Sequence, residues 1–137
     1  MGMKSLANGN EGQRIIIKTL REYGFWVHLT QRKPDGSQPV DLIALRNDSS
    51  WLIDAKFVRA EAKGRFSFGD IQANQLASME YASEFAGLTN MGFAIVFEED
   101  KETPRFLPFG EYMAMRMEGK KSAKKEEMAP LYVYVRN

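Results

Sequence analysis

The chain has 137 residues, of which 44% are hydrophobic and 27% are charged, and its formal net charge is +1. This size and composition are typical of one soluble globular domain, so we expect residues 1–137 to form a single domain. The small net charge excludes a uniformly basic protein that coats nucleic acid, so any nucleic-acid contact must come from local basic patches. The chain has no cysteine and one histidine, His28, which excludes thiolate and His-rich metal sites.

The first half of the chain predicts one helix followed by three strands. The helix has apolar residues at helical spacing and ends before Gly24, a common stop signal. The strands are aromatic, aliphatic and β-branched, and the last two flank the polar turn Asn47-Asp48-Ser49-Ser50, which predicts a hairpin. The helix is expected at residues 11–22, a loop at 32–39, and the strands at 25–30, 40–46 and 51–58.

The second half predicts a further helix and a fully buried strand. Residues 59–68 have no clean periodicity and predict an ordered loop or irregular strand, after which Asp70 resembles the N-cap of a helix that runs to about Phe85. The continuously apolar run from Phe93 to Phe97 predicts a strand buried on both faces. An edge strand is expected at 104–107, a helix at 110–117, a mobile loop at 120–127 and a last strand at 131–135. This order belongs to the mixed α/β class.

The hairpin carries the charged residues that point to chemistry. Side chains alternate along a strand, so Asp54 and Lys56 must share a face. A two-residue turn at Asn47 and Asp48 sets Asp41 opposite Asp54, whereas a four-residue loop sets Asp41 opposite Lys56. In either register, all three charges lie on one face of the sheet.

Two carboxylates across a strand ladder repel each other, and apolar neighbours leave them poorly solvated. A divalent cation such as Mg²⁺ relieves this repulsion, because it prefers one or two carboxylates together with water and phosphate oxygens. A lysine beside the cation can stabilise negative charge on a phosphate. An exposed ion pair between Asp and Lys on adjacent strands is the common structural alternative. Glu11 lies one turn before the apolar Ile15, which favours an inward orientation of its side chain. A favourable acidic charge at the start of the helix is the structural alternative.

The run PVDLIALRNDSSWLIDAKF, from Pro39 to Phe57, resembles the motif of the PD-(D/E)xK nuclease superfamily, with Asp41 as the first acid and Asp54-Ala55-Lys56 as D-x-K. The opening GNEGQRIIIKTLREYGFWV and the helix around Gln75 are similar to those of Holliday-junction resolvases of the RecU and Hjc type. About 110 residues are covered by this resemblance. It implies a restriction-endonuclease-like α/β core, with a mixed central β-sheet flanked by helices.

The resemblance also implies residue roles. Glu11, Asp41, Asp54 and the carbonyl of Ala55 would be Mg²⁺ ligands, with Mn²⁺ able to substitute for Mg²⁺. Lys56 would be the catalytic lysine, and Gln75 would help to hold the substrate or the site.

Two features depart from the resolvase pattern. The second acid is Asp54 where these resolvases usually carry glutamate, which shortens the reach to a metal by one methylene. RecU proteins also insert a long stalk before the first catalytic acid, whereas here only residues 35–40 separate Lys33-Pro34 from Asp41. The stalk is therefore missing from this chain.

Several residues are candidate contacts to DNA. Basic side chains would contact phosphates without base specificity, and an aromatic side chain could stack on unpaired bases or belong to the core. The candidates are Arg32, Lys33, Lys63, Arg65 and Phe68.

Three hypotheses follow from the sequence. The first is an Mg²⁺-dependent, structure-selective DNA endonuclease of the resolvase type that acts as a homodimer on branched DNA. The second is a nuclease that acts on flaps, ends or duplex DNA in repair or restriction, and the third is a non-catalytic nucleic-acid-binding module with the same fold. No apolar stretch approaches the length of a membrane span, so we expect a cytoplasmic protein without membrane contact.

Overall fold

A six-stranded mixed sheet forms the centre of the computed structural model, which describes residues 2–30 and 40–136. The strands of this sheet follow the order β1-β2-β3-β5-β6-β8, and β4 and β7 form a separate two-stranded sheet. The strands are β1 Trp26–Leu29, β2 Leu42–Arg46, β3 Ser49–Val58, β4 Arg65–Ser67, β5 Met91–Phe97, β6 Arg105–Pro108, β7 Ser122–Lys124 and β8 Ala129–Pro130. The helices are α1 Gly2–Glu22, α2 Ala73–Phe85, α3 Phe109–Met117 and α4 Leu131–Val135.

Helices cover the two faces of the central sheet and bury two apolar clusters. On one face, Ile16 and Leu20 of α1 pack against a cluster that contains Ile53 of β3. On the other face, Met79 of α2 packs in a cluster that contains Phe93 and Ile95 of β5. Strand β5 runs parallel to β3 and is buried along its whole length, as the apolar run predicts.

The hairpin of β2 and β3 turns at Asn47 and Asp48, and Arg46 pairs with Ser49. Asn47 has a φ of +50°, a left-handed conformation that asparagine tolerates better than most residues. The two-residue turn is therefore the correct one of the two predicted registers. It is the register that sets Asp41 opposite Asp54.

Four sequence-based expectations about local structure are wrong. The strand expected at the sheet edge at 104–107 is internal, because β6 pairs with β5 on one side and with β8 on the other. Asp70 ends a 3₁₀ turn and does not cap α2, whose N-cap is Gln72. Leu131–Val135 is a helix, because one turn of helix places Leu131 and Val135 together in the α1-side core. Residues 120–127 are ordered as β7 and a 3₁₀ turn, with Lys120 bonded to Glu127 at 3.0 Å.

Close packing joins α1 to β3 at Gly12. A Cβ atom at this position would lie 3.3 Å from the Cβ of Phe57 and 3.5 Å from the carbonyl oxygen of Lys56. The absence of a side chain at Gly12 thus lets the middle of α1 approach the end of β3. None of the described helices has the length and apolar character needed to span a membrane.

Candidate active site

Asp41 and Asp54 are the buried carboxylates of the α2-side face of the sheet. Asp41 immediately precedes β2 and is 7% exposed, and Asp54 in the middle of β3 is 0% exposed. An oxygen of Asp41 accepts a hydrogen bond of 3.0 Å from the backbone N–H of Ala55, which holds it against β3. The predicted pair of acids is thus brought together in a buried position.

Lys56 lies beside this pair, two residues after Asp54 and on the same face of β3. Its Nζ is 2.9 Å from Oδ2 of Asp54. The same ammonium donates to the side-chain oxygen of Gln75 at 3.1 Å and to the carbonyl oxygen of Asp70 at 3.2 Å. Three acceptors therefore hold a lysine whose side chain is only 15% exposed.

Gln75 of α2 joins the acid and the lysine. Its amide nitrogen donates to Oδ1 of Asp54 at 2.7 Å, while its oxygen accepts from Lys56 and from the backbone N–H of Gln72. The bond to Gln72 belongs to a capping box that starts α2. The same side chain therefore starts the helix and orients the two charged groups.

The pKa of Asp54 is raised from its ordinary value of 3.8 to about 7. Burial is the largest cause and the negative charge of Asp41 adds to it, while the charge of Lys56 opposes the rise. One lysine does not compensate for both the lost hydration and the repulsion between the acids. The electrostatics of the pair therefore favour the approach of additional positive charge.

The donor set fits a hard divalent cation. Oδ2 of Asp54 is buried and accepts no hydrogen bond of good geometry within the described residues, despite its ion pair with Lys56. Carboxylate and carbonyl oxygens are the ligands that Mg²⁺ and Mn²⁺ prefer. A cation beside Asp41 and Asp54 would satisfy that oxygen and remove the repulsion that raises the pKa of Asp54.

Glu11 is not among the residues that the structure brings together. It lies on α1, which packs on the opposite face of the sheet, and its side chain forms an ion pair with Lys101 at 2.7 Å. Within residues 2–30 and 40–136, no three histidine, cysteine, aspartate or glutamate side chains converge on one metal-binding position. The role of Glu11 as a ligand stays a prediction that rests on resemblance.

The predicted DNA contacts fall into three groups. Lys63 and Arg65 are exposed at the start of the small sheet, where basic side chains can reach a phosphate backbone. Phe68 is 3% exposed and packs edge-on against Tyr112 at 5.0 Å, so the prediction that it stacks on bases is wrong. Phe68 is therefore part of the aromatic core on the α2 side of the sheet. Arg32 and Lys33 lie outside the described residues.

Two features of the site were not among the residues predicted from the sequence. The carbonyl of Asp70 holds Lys56, and a backbone acceptor leaves no residue-type signal in a sequence. A cleft of about 460 Å³ next to β3 is lined by residues that include Arg59, Arg65 and Asp70. Arg59 directly follows the strand that carries D-x-K, so its charge at this position could have indicated a basic residue next to the site.

No protein-family model matches the chain, and no curated protein sequence matches it. Among solved structures, it is similar to Hjc of Archaeoglobus fulgidus, described as a Holliday junction resolvase from an archaeal hyperthermophile. The TM-score is 0.66 over 93% of this chain and 99% of that chain, at 17% sequence identity. This likeness shows the fold, and it confirms the predicted restriction-endonuclease-like core with a mixed central sheet.

Proposed function

We propose that this chain is a divalent-cation-dependent DNA endonuclease of the Holliday-junction-resolvase type. The observation that carries the proposal is the buried pair Asp41 and Asp54, with the ammonium of Lys56 at 2.9 Å from Asp54. The archaeal protein that shares the fold is described as a Holliday junction resolvase, which supports the same reaction class. A surface ion pair, the alternative reading of Asp54 and Lys56, does not account for a carboxylate that is 0% exposed.

Asp41, Asp54 and the carbonyl of Ala55 would hold Mg²⁺ or Mn²⁺, which when bound supplies positive charge to a phosphate oxygen and to a water. Lys56 places a second positive charge next to the same carboxylates. A phosphodiester gains negative charge as water attacks it, and a fixed ammonium stabilises that charge. Gln75 bonds both the ammonium of Lys56 and the carboxylate of Asp54, and so fixes their positions relative to each other. We therefore regard Gln75 as a positioning residue.

The proposed reaction is hydrolysis with in-line attack. A water molecule oriented by Lys56 forms a bond to phosphorus while the bond from phosphorus to the 3′ oxygen breaks, which leaves a 3′-hydroxyl and a 5′-phosphate. Arg59 and Arg65 in the neighbouring cleft, together with Lys63, would contact flanking phosphates. Such contacts position the substrate without reading its sequence, as selection of DNA by shape requires.

Symmetrical cutting of a four-way junction needs two active sites related by a two-fold axis, so we propose that the working form is a homodimer. Sedimentation at micromolar concentration, with and without a synthetic junction, measures this state. A monomer in the presence of bound junction would contradict it.

Cleavage assays test the proposed activity. Purified protein with Mg²⁺ is given end-labelled junction, flap, duplex and single-stranded DNA, and we expect preferential cleavage of the junction. Asp54→Ala and Lys56→Ala should lose activity by about two orders of magnitude or more, the scale of loss when a charge-stabilising group is removed. Asp48→Asn, which changes an exposed turn acid of the same hairpin, should retain activity.

The outcomes separate the alternatives. Preferential cleavage of flaps or duplex would keep the nuclease and replace the junction as substrate. Full activity of the Asp54 or Lys56 variant would remove the assignment of the active site, and binding of DNA without cleavage of any substrate would favour the non-catalytic module.

A further inference from the structure

A groove of about 600 Å³ lies on the far side of the sheet from Asp54, between α1 and the edge strand β1. On the helix side, its lining contains three cations and one acid and so keeps an excess of positive charge; these residues are Arg14, Lys18, Arg21 and Glu22. The three cations are spaced by four and three positions and therefore form one stripe along α1. All three are exposed, and none is ion-paired within the part of the chain that the structure describes.

The floor of the groove is apolar. Ile17 of α1 lines it together with Val27 and Leu29 of β1. On the opposite face of β1, Trp26 is 60% exposed and stacks on His28, with ring centroids 5.8 Å apart. Exposed apolar side chains thus lie on both faces of the same short strand.

Strand β1 is the edge of the central sheet and pairs only with β2 among the described strands. The backbone N–H of Thr30 donates to the carbonyl of Asp41, which places Thr30 in a hydrogen-bonded pair. Because such pairs alternate along an antiparallel ladder, the N–H groups of Val27 and Leu29 point away from β2. The edge therefore offers backbone donors between apolar side chains.

Natural proteins block edge strands with lysine, proline, a bulge or a covering segment, because a bare edge pairs with other chains. The sequence of β1, Trp-Val-His-Leu, contains neither lysine nor proline. On its outer side β1 pairs with no strand from the part of the chain that the structure describes. Such an apolar edge beside a stripe of cations is the combination expected where a strand is added from a partner.

The occupant must be acidic. In an added strand, alternate side chains lie about 6.7 Å apart on one face, and Arg14 to Arg21 spans roughly 10.5 Å of helix. Acidic residues at two or three alternate positions would therefore face the stripe, while the intervening apolar residues would cover Trp26. A second copy of this chain fits poorly, because antiparallel pairing of two β1 edges would bring two stripes of like charge together.

We propose that the groove between α1 and β1 binds an extended, acidic segment of a partner protein as an added strand. This inference does not depend on the nuclease activity, because the groove and the carboxylate pair lie on opposite faces of the sheet.

A fluorescent peptide in which glutamate and valine alternate over seven residues tests the proposal by anisotropy titration of the full chain. Replacement of Arg14, Lys18 and Arg21 by glutamate should weaken binding of the acidic peptide at least tenfold, because it reverses the charge of the stripe. These positions are exposed and are not part of the core, so the fold should be unaffected. The same variant should bind a lysine-valine peptide at least tenfold more tightly than the unchanged chain does. Absence of this charge-swap rescue would overturn the proposal.

Backbone pairing is tested by amide hydrogen exchange. Bound peptide should slow exchange of the Val27 and Leu29 amides and leave the His28 amide, which faces β2, unaffected. Leu29→Pro removes one outward donor without interrupting the ladder to β2, and we expect at least tenfold weaker binding than for Leu29→Ala, the matched control. Equal binding by these two variants would exclude strand addition.

Two other occupants are outcomes of the same titration. Displacement of the peptide by single-stranded DNA of equal charge, with no protection of the Val27 amide, would overturn the proposal in favour of a nucleic-acid groove. Protection of the Val27 amide that rises with protein concentration in the absence of peptide would overturn it in favour of self-association.

Discussion

Replacement of Asp54 by asparagine should leave stability nearly unchanged at pH 5 and raise it at pH 8. Burial and the charge of Asp41 raise the pKa of Asp54 to about 7, so near pH 5 the folded protein keeps a proton that the unfolded chain has released. Stability therefore falls as the pH rises from about 4 to about 7 and levels off above that range. Asparagine does not ionise, and the variant should lack this fall.

The difference in pKa sets the magnitude. A pKa raised from 3.8 to about 7 corresponds to roughly 4 kcal/mol of stability lost between the two values. Asparagine presents an NH₂ group where Asp54 accepts from Gln75 or Lys56, and loss of one such bond costs roughly 1–2 kcal/mol. By pH 5 the unchanged protein has already lost roughly 1.7 of these 4 kcal/mol, which about offsets the lost bond. The variant should therefore be about as stable as the unchanged protein at pH 5 and more stable by about 2 kcal/mol at pH 8.

Urea unfolding of both proteins at pH 5 and pH 8, with chelator present, measures this difference. In thermal unfolding, a gain of 2 kcal/mol at pH 8 should raise the Tm by roughly 7 °C for a chain of this length. Asp48→Asn removes an exposed charge from the same hairpin and should follow the unchanged protein within about 0.5 kcal/mol at both pH values. An Asp54 variant that is less stable at pH 8 than at pH 5, relative to the unchanged protein, would refute the reasoning.

Three further substitutions probe the packing and the site. Phe68→Ala should cost about 3–5 kcal/mol in urea unfolding because it empties a core position, whereas Phe85→Ala at a side chain that is 68% exposed should cost less than about 0.5 kcal/mol. Gly92→Ala should cost roughly 1–3 kcal/mol in the same assay, since its Cβ would clash with the carbonyl oxygen of Leu107. Gln75→Leu should cost about 1–3 kcal/mol and slow cleavage of DNA in single-turnover assays, because Asp54 and Lys56 lose their shared partner; unchanged cleavage would remove its positioning role.

The hairpin was predictable because strand geometry leaves few choices. Alternation places Asp54 and Lys56 on one face, and only two turn lengths had to be considered for Asp41. The left-handed conformation of Asn47 selects the shorter turn. A short polar segment does not determine that conformation by itself.

Other elements depend on contacts that are distant in sequence. Leu131 to Val135 has β-forming residues, and burial of its two ends against the α1-side core makes it helical. Lys125 lies near Glu99 at 3.7 Å, and such pairing orders a segment whose composition suggests a mobile loop. Phe68 illustrates the same limit at the site, since an aromatic residue that follows basic residues can face DNA or the core, and only the fold decides between the two.

For Glu11, the role implied by sequence resemblance differs from the position that the structure gives it. Resemblance implies a ligand, and the structure pairs this carboxylate with Lys101 on the other face of the sheet. The backbone carbonyl that holds Lys56 shows a further limit of the same kind, because a carbonyl group is present at every residue.

Calorimetric titration with Mn²⁺ at pH 8 is the most direct test of the central claim that Asp41 and Asp54 form a cation site. We expect saturable binding that is lost in Asp54→Asn and retained in Asp48→Asn, because the buried carboxylate oxygen of Asp54 provides a ligand that the exposed turn acid does not. Absence of binding to the unchanged chain, or equal binding by the Asp54 variant, would contradict the claim.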